Sequence, residues 1–152
     1  VYERPFDEVL TSIIPRIVLM KEWISEYIGI PFLDHGRDPA EGLDCWGLVI
    51  DVLERQYNKQ LPMLTGAYSS ALDHGSVSYL IDTAIPLIGA EKVNTPQDGD
   101  IALIKFSGQP VHTGVFVGEG CVLHARRALG VVCEKLDGPH LRGKVEGIYR
   151  VL

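Results

Sequence analysis

Cysteine is scarce in this chain of 152 residues: Cys45, Cys121 and Cys133 are the only three. An odd and small number excludes a disulfide scaffold and fits a chain kept reduced. No stretch approaches the roughly 20 apolar residues needed to span a bilayer, so no membrane span is expected. Basic residues are outnumbered, 14 Lys and Arg against 20 Asp and Glu, for a net charge of −6. Without a Lys/Arg run, that balance excludes a phosphate-binding groove as the main function, and no nucleic acid is expected as partner. The opening residues Val1-Tyr2-Glu3-Arg4 lack the charged-then-apolar order of a signal peptide, so export by a standard leader is not expected. Repeats and low-complexity segments are absent. What remains is 46% hydrophobic and 22% charged, enough apolar matter for one domain with a substantial core.

The chain divides into a helical first half and a strand-rich second half. Val9, Leu10, Ile13, Ile14, Ile17, Val18 and Leu19 are apolar but interrupted by Pro15, which breaks any single helix. Residues 1–19 therefore read as an arm or extension ahead of a domain over 20–152. Residues 21–27 read as a short helix carrying Trp23, Ile24 and Tyr27, ended by Gly29 and Pro31. Residues 33–42, rich in Gly, Pro and charge, read as a surface loop. There His35, Arg37 and Asp38 either line a groove or are simply solvated. Leu48, Val49, Val52, Leu53 and Tyr57 recur at helical spacing behind Asp44. A weaker helical pattern follows over 68–88, closed by Ile85-Pro86 and Gly89, inside an insertion spanning about 64–90. From Asp98 onward short β-branched runs alternate with glycine turns, predicting strands at 101–106, 111–117, 122–125, 131–135 and 145–151. Helices first and an antiparallel sheet afterwards indicate an α+β domain.

Chemistry concentrates in Asp44-Cys45-Trp46-Gly47-Leu48-Val49. A cysteine on the first turn of a helix, behind an acidic N-cap, meets free N–H groups that favour the thiolate, so a lowered thiol pKa is expected. The competing reading is an inert cysteine packed as a small hydrophobe. Two histidines favour the reactive one. His112 opens one strand and His124 lies on the next, twelve residues on, across the Gly118-Glu119-Gly120 turn. A hairpin puts both on one face, His112 toward a thiol and His124 behind it, as a nucleophile, a base and an orienting group require. Zinc is the rival use of Cys121, His124, Cys133 and His140. Odd strand spacing and the lack of a Cys-x-x-Cys knuckle argue against it, so no metal or cofactor is expected. Cys121 and Cys133 read as core strand residues. Asp100 reads as a turn residue.

The text YIGIPFLDHGRDPAEGLDCWGLV, then PQDGDIALI, then VHTGVFVGEGCVLHA resembles the NlpC/P60 cysteine peptidases, which cut peptide stems of bacterial peptidoglycan. That pattern pairs an Asp-Cys-Ser-Gly-(Phe/Leu)-Val helix start with a Gly-Asp strand opener and a His-Val-Gly strand, then a third polar residue one strand later. The resemblance implies a papain-like fold, with N-terminal helices packed on an antiparallel sheet of five to six strands. It implies Cys45 as nucleophile, His112 as general base, His124 as the orienting third member, and the Cys45 N–H as part of an oxyanion hole. Asp44, Trp46, Phe32 and Arg126 are then expected along the substrate groove. A guanidinium there suits the free carboxylates of D-Glu and diaminopimelate. Strand alternation predicts that only one of Arg126 and Arg127 faces it.

Three departures stand out. Trp46 replaces a small serine, Phe32 stands where many members carry tyrosine, and the 67 residues from Cys45 to His112 leave room for an inserted element. The wording Gly-Arg-Asp-Pro, with Leu61-Pro62 after the helix, looks most like the branch in tailed bacteriophages and prophages. That branch implies peptidoglycan and other tail-tip or hub proteins as partners, and a place in the virion tail. The alternatives are a structural tail assembly or plug protein that retains the fold with weak or no activity, and a host cell-wall hydrolase.

Overall fold

A computed structural model describes residues 21–67, 70–106 and 108–152; the arm expected over 1–19 lies outside the described residues. Helix α1 covers Glu22–Tyr27, helix α2 Cys45–Tyr57 and helix α3 His74–Leu87. The strands are β1 (Arg37–Asp38), β2 (Gly42–Leu43), β3 (Ala90–Val93), β4 (Ile101–Phe106), β5 (Gln109–Gly118), β6 (Cys121–Arg126), β7 (Gly130–Lys135) and β8 (Val145–Val151). β1 and β2 form a small ribbon, and the other six build one antiparallel sheet in the order β3-β8-β4-β5-β6-β7. This is the α+β architecture that the sequence pattern predicts, with β3 added to the five predicted strands, so that the sheet reaches the upper end of the five to six implied by the resemblance. Among the described residues no helix is long and apolar enough to cross a membrane.

Helix α2 begins because Asp44 holds an extended backbone and its side chain accepts the Gly47 N–H at 2.8 Å. It ends because Asn58 turns left-handed (φ 53°, ψ 40°) and returns its N–H to Leu53. Leu48, Val49, Val52 and Leu53, all fully buried, form the face that meets Val115, Val117 and Leu123 on β5 and β6. At about 25 cal/mol per Å² of apolar surface, each such side chain stabilises the fold by roughly 2 kcal/mol. Helix α1 braces the outer side, with Trp23 edge-on to Tyr57 and the Tyr27 hydroxyl donating to Asp51 at 2.5 Å.

The inserted helix α3 packs Val77 and Ile81 against Leu103 and Val111 of the sheet. It runs one residue past Pro86, and the chain then turns at Gly89 (φ 67°). Two elements were not foreseen. β3, with sequence Ala-Glu-Lys-Val, carries two charges, as suits a strand that among the described residues is an edge paired only to β8. The β1–β2 ribbon lies inside the expected loop, and it crosses the start of α2 so closely that a methyl added at Gly47 would run into the Gly36 carbonyl. Glycine at 47 is therefore what lets the loop lie on the start of α2. The β5–β6 hairpin turns on three successive left-handed residues, Gly118, Glu119 and Gly120, as the glycine spacing predicts.

Candidate active site

Cys45 is the first residue of α2, and its surroundings begin with Asp44. The Asp44 carboxylate is fully buried and spends both oxygens on protein: Oδ1 accepts from Gly47 N (2.8 Å) and Arg37 Nη1 (2.8 Å), and Oδ2 from His35 N (3.1 Å). Arg37 in turn donates to the Met63 carbonyl through Nε (3.1 Å) and Nη2 (2.8 Å). This corrects the placement of Asp44 along the substrate groove, because no face of it is accessible. It also gives Arg37 a structural partner in place of the groove-or-solvent alternative.

The thiol is the second correction. Burial first, and the Asp44 charge second, push the Cys45 pKa up to about 11, while the N–H groups of Thr113 and Trp46 and the Thr113 side chain favour the thiolate without reversing the shift. The helix N-terminus is present as expected, but desolvation of the anion outweighs it. Cys45 therefore rests as a neutral thiol.

The two histidines meet as the hairpin predicts. His112 Nε2 lies 2.9 Å from His124 Nδ1, with the rings edge-on at 72°. Close approach of β6 to β5 depends on Gly114, where a side chain would strike Val122, the Leu123 carbonyl and the His124 Cβ. Behind His124, its Nε2 lies 2.7 Å from Glu134 Oε2, and Glu134 Oε1 accepts from Arg126 Nη1 (3.1 Å) and pairs with His140 Nδ1 (2.8 Å). Burial, then His124 and Arg126, push the His112 pKa down to about 3. Burial lowers His124 as well, with Glu134 only partly offsetting it. Burial alone would raise Glu134, but its bond to His124 and the proximity of His140 and Arg126 hold it below the usual carboxylate range. Two neutral imidazoles backed by an ionised carboxylate result.

Sequence reasoning missed Glu134. The available signal was parity: Glu134 is the only acidic residue of β7, and the register Val122↔Glu134 with His124↔Val132 puts it on the face of His124.

Cys45 and His112 share the wall of one groove of about 360 Å³, whose lining also includes the apolar Phe32, Leu72 and Phe106 and the cationic Arg126 and Arg127. Both arginines line it, correcting the expectation of one, because β6 ends at Arg126 and Arg127 already lies in the turn, where alternation no longer holds. Trp46 does not line this groove. It faces a separate, wholly apolar cavity of about 40 Å³ between α3 and the sheet, with Cys45 and Thr113 at its boundary, and its indole N–H donates to Pro62 O at 2.9 Å. Asp100 is a buried turn clamp, accepting from Gln97 N and from Arg150 at 2.9 and 2.8 Å. Cys121 and Cys133 are free thiols, half-buried beside the core rather than within it. Among the described residues no group of three or more His, Cys, Asp or Glu side chains is placed to hold a metal.

A helix-borne cysteine set against a sheet-borne histidine pair in an α+β domain is the arrangement of a cysteine peptidase. The chain belongs to the NlpC/P60 family, whose family model matches residues 29–150 and whose members are cysteine peptidases acting on peptidoglycan. It is 29% identical over 130 residues to the gamma-DL-glutamyl hydrolase of Bacillus subtilis (strain 168), covering 82% of this chain and 27% of that protein. It is 24% identical over 117 residues to the murein DD-endopeptidase MepS/murein LD-carboxypeptidase of Escherichia coli (strain K12), covering 77% of this chain and 54% of that one. The chain thus spans between about a quarter and a half of these relatives' lengths. Among solved structures, an NlpC/P60 family protein from Bacillus cereus ATCC 10987 superposes with a TM-score of 0.59 at 20% identity, over 85% of this chain and 38% of that chain. The NlpC/P60 domain of the peptidoglycan hydrolase SagA gives 0.54 at 17%, over 84% and 92%.

Two outcomes follow from the electrostatics. Replacing Asp44 by Asn keeps a cap but removes the charge, so the Cys45 pKa falls while stability drops by about 3 kcal/mol as Arg37 loses its buried partner. The pH profile of Cys45 alkylation, read by peptide mass mapping, shows the midpoint move down; an unchanged midpoint rules out the Asp44 contribution. Because folding lowers the His112 pKa, its contribution to stability is whole above the unfolded value of 6.5 and is lost as pH falls toward about 3. Between pH 7 and pH 5 that loss is about 2 kcal/mol. In urea denaturation at the two pH values, His112→Asn loses less stability than the parent by that amount; equal losses would contradict a buried neutral His112.

Proposed function

We propose that this chain is a cysteine endopeptidase of peptidoglycan stem peptides, with Cys45 as nucleophile, His112 as general base and His124 as its orienting partner. The observation that carries this reading is the shared groove: Cys45 and His112 line one hollow, and His112 is backed by His124 and Glu134. In the first step the Cys45 sulfur forms a bond to the scissile carbonyl carbon as His112 takes the thiol proton. The resulting oxyanion lies at the start of α2, where the Cys45 N–H stabilises it. His112 returns the proton to the leaving amine, the C–N bond breaks, and water hydrolyses the thioester by the same route.

Arg126 and Arg127 give the groove cationic lining, suited to the carboxylates flanking a γ-linked D-Glu. The names of the relatives, a glutamyl hydrolase and a murein endopeptidase, support that substrate class. Phe32 and Leu72 supply apolar walls for the stem backbone. The site of action we assign is a bacteriophage or prophage tail tip. Its support is the Gly36-Arg37-Asp38-Pro39 run together with Leu61-Pro62.

Incubating purified peptidoglycan with the protein yields stem-peptide fragments in mass spectra, and Cys45→Ala reduces their yield by on the order of 10⁴-fold. No fragments from the folded, reduced parent would turn the reading toward a structural tail component. The tail assignment is checked apart from activity: peptides of this chain co-purify with intact phage particles through a density gradient, and their presence only in the bacterial envelope fraction would replace the tail by a host wall role.

A further inference from the structure

The hydrogen-bond chain through β5, β6 and β7 fixes the protons of the two imidazoles as well as their positions. An ionised carboxylate only accepts, so Glu134 Oε2, 2.7 Å from His124 Nε2, requires the proton of that ring to be on Nε2. A neutral imidazole carries a single N–H, and His124 Nδ1 is therefore a lone pair. His112 Nε2 faces that lone pair at 2.9 Å and must be the donor. His112 is neutral too, which leaves its Nδ1 without a proton. That nitrogen is the only one on His112 not engaged by His124, and His112 shares the groove with Cys45.

We propose that Glu134 is the positioning residue of this site: its carboxylate orders the two imidazoles head to tail so that His112 keeps Nδ1 as a proton acceptor for the groove. The reverse order, with His124 Nδ1–H donating to His112 Nε2, makes the same number of hydrogen bonds within the pair. It leaves a proton on His112 Nδ1, where the ring has no capacity to take one from a thiol. The carboxylate distinguishes the two orders, because it takes a proton only from Nε2 of His124. Arg126 and His140 hold Oε1 at 3.1 and 2.8 Å, so the other oxygen stays aimed at His124. Because Arg126 also lines the groove, a substrate carboxylate that binds it acts on the same network. The kinetic consequence rests on the peptidase reading above; the proton order does not.

The test is a long-range ¹H–¹⁵N correlation spectrum of the full, uniformly ¹⁵N-labelled chain near neutral pH, with ring signals assigned by their loss in His112→Asn and His124→Asn. The parent shows both rings protonated at Nε2. Glu134→Asp keeps that pattern, while Glu134→Gln, whose amide both donates and accepts, shows His112 with a substantial Nδ1–H population. In turnover, Glu134→Gln loses on the order of 10²-fold in kcat with KM within about threefold, and Glu134→Asp restores most of it. A parent spectrum with Nδ1–H on His112, or a folded Glu134→Gln with unchanged ring signals, overturns the proposal. Should Glu134→Gln not fold, the parent spectrum alone decides. Absence of peptidoglycan cleavage by the parent removes the peptidase reading and leaves the spectral result standing.

Discussion

Everything at this site hangs on one buried carboxylate. Asp44 is wholly enclosed, and an ion taken out of water costs several kcal/mol unless its partners are well placed. It is offset by two backbone N–H groups and one guanidinium, and each of those contacts ties down a different piece of chain. The Gly47 N–H starts α2, the His35 N–H fixes the loop before it, and Arg37 reaches from there to the Met63 carbonyl beyond the helix. One charge thus fastens α2 at its start and joins the segments entering and leaving it. Cys45 is placed by this knot, since it is the residue between the cap and the first turn.

The knot has an electrostatic consequence. A helix N-terminus stabilises an anion by at most about 2 kcal/mol. Moving the thiol from 9.0 to about 11 corresponds to roughly 3 kcal/mol in favour of the neutral form, after the helix has made its contribution. Burial and the Asp44 charge therefore win, and the resting site carries no preformed thiolate–imidazolium pair. His112, held neutral, is in the right state to accept a proton, and the thiol is in the right state to give one. In the proposed mechanism, charge separates only as the sulfur bonds to a carbonyl, with the developing oxyanion at the start of α2. The same burial that makes the cysteine unreactive toward solvent makes the base available.

Much of this was readable in the sequence because it is written in local rules. The Asp44 cap and the apolar spacing behind it define α2, glycine turns delimit the strands, and two histidines twelve residues apart across a tight hairpin fall on one face. What was not legible depends on contacts between distant segments. The inward reach of Arg37, the partnership of Asp100 with Arg150 and the closing of the histidine chain by Glu134 all join residues that no local period connects. The thiol expectation failed for the same reason. Helix position is local, whereas desolvation is set by everything packed around the sulfur. β3 escaped notice because a four-residue edge strand with two charges lacks the apolar alternation of a buried one.

The departures from the family pattern prove to be connected. Trp46 is too large for the small position it occupies, and it is accommodated because the segment between Cys45 and His112 folds back as α3 and gives its ring an apolar neighbourhood with Val77 and Ile81. The start of that segment is held by Asp34, which accepts from the Ser70 hydroxyl at 2.7 Å and the Ala71 N–H at 2.8 Å. Ala71 and Leu72 then line the groove together with Phe32. Where many family members carry a tyrosine, Phe32 brings no hydroxyl to the groove lining, whose charged side chains are those of Arg126 and Arg127. The insertion thus supplies apolar neighbours on the tryptophan side and part of the lining of the groove on the Phe32 side, which ties the three departures together.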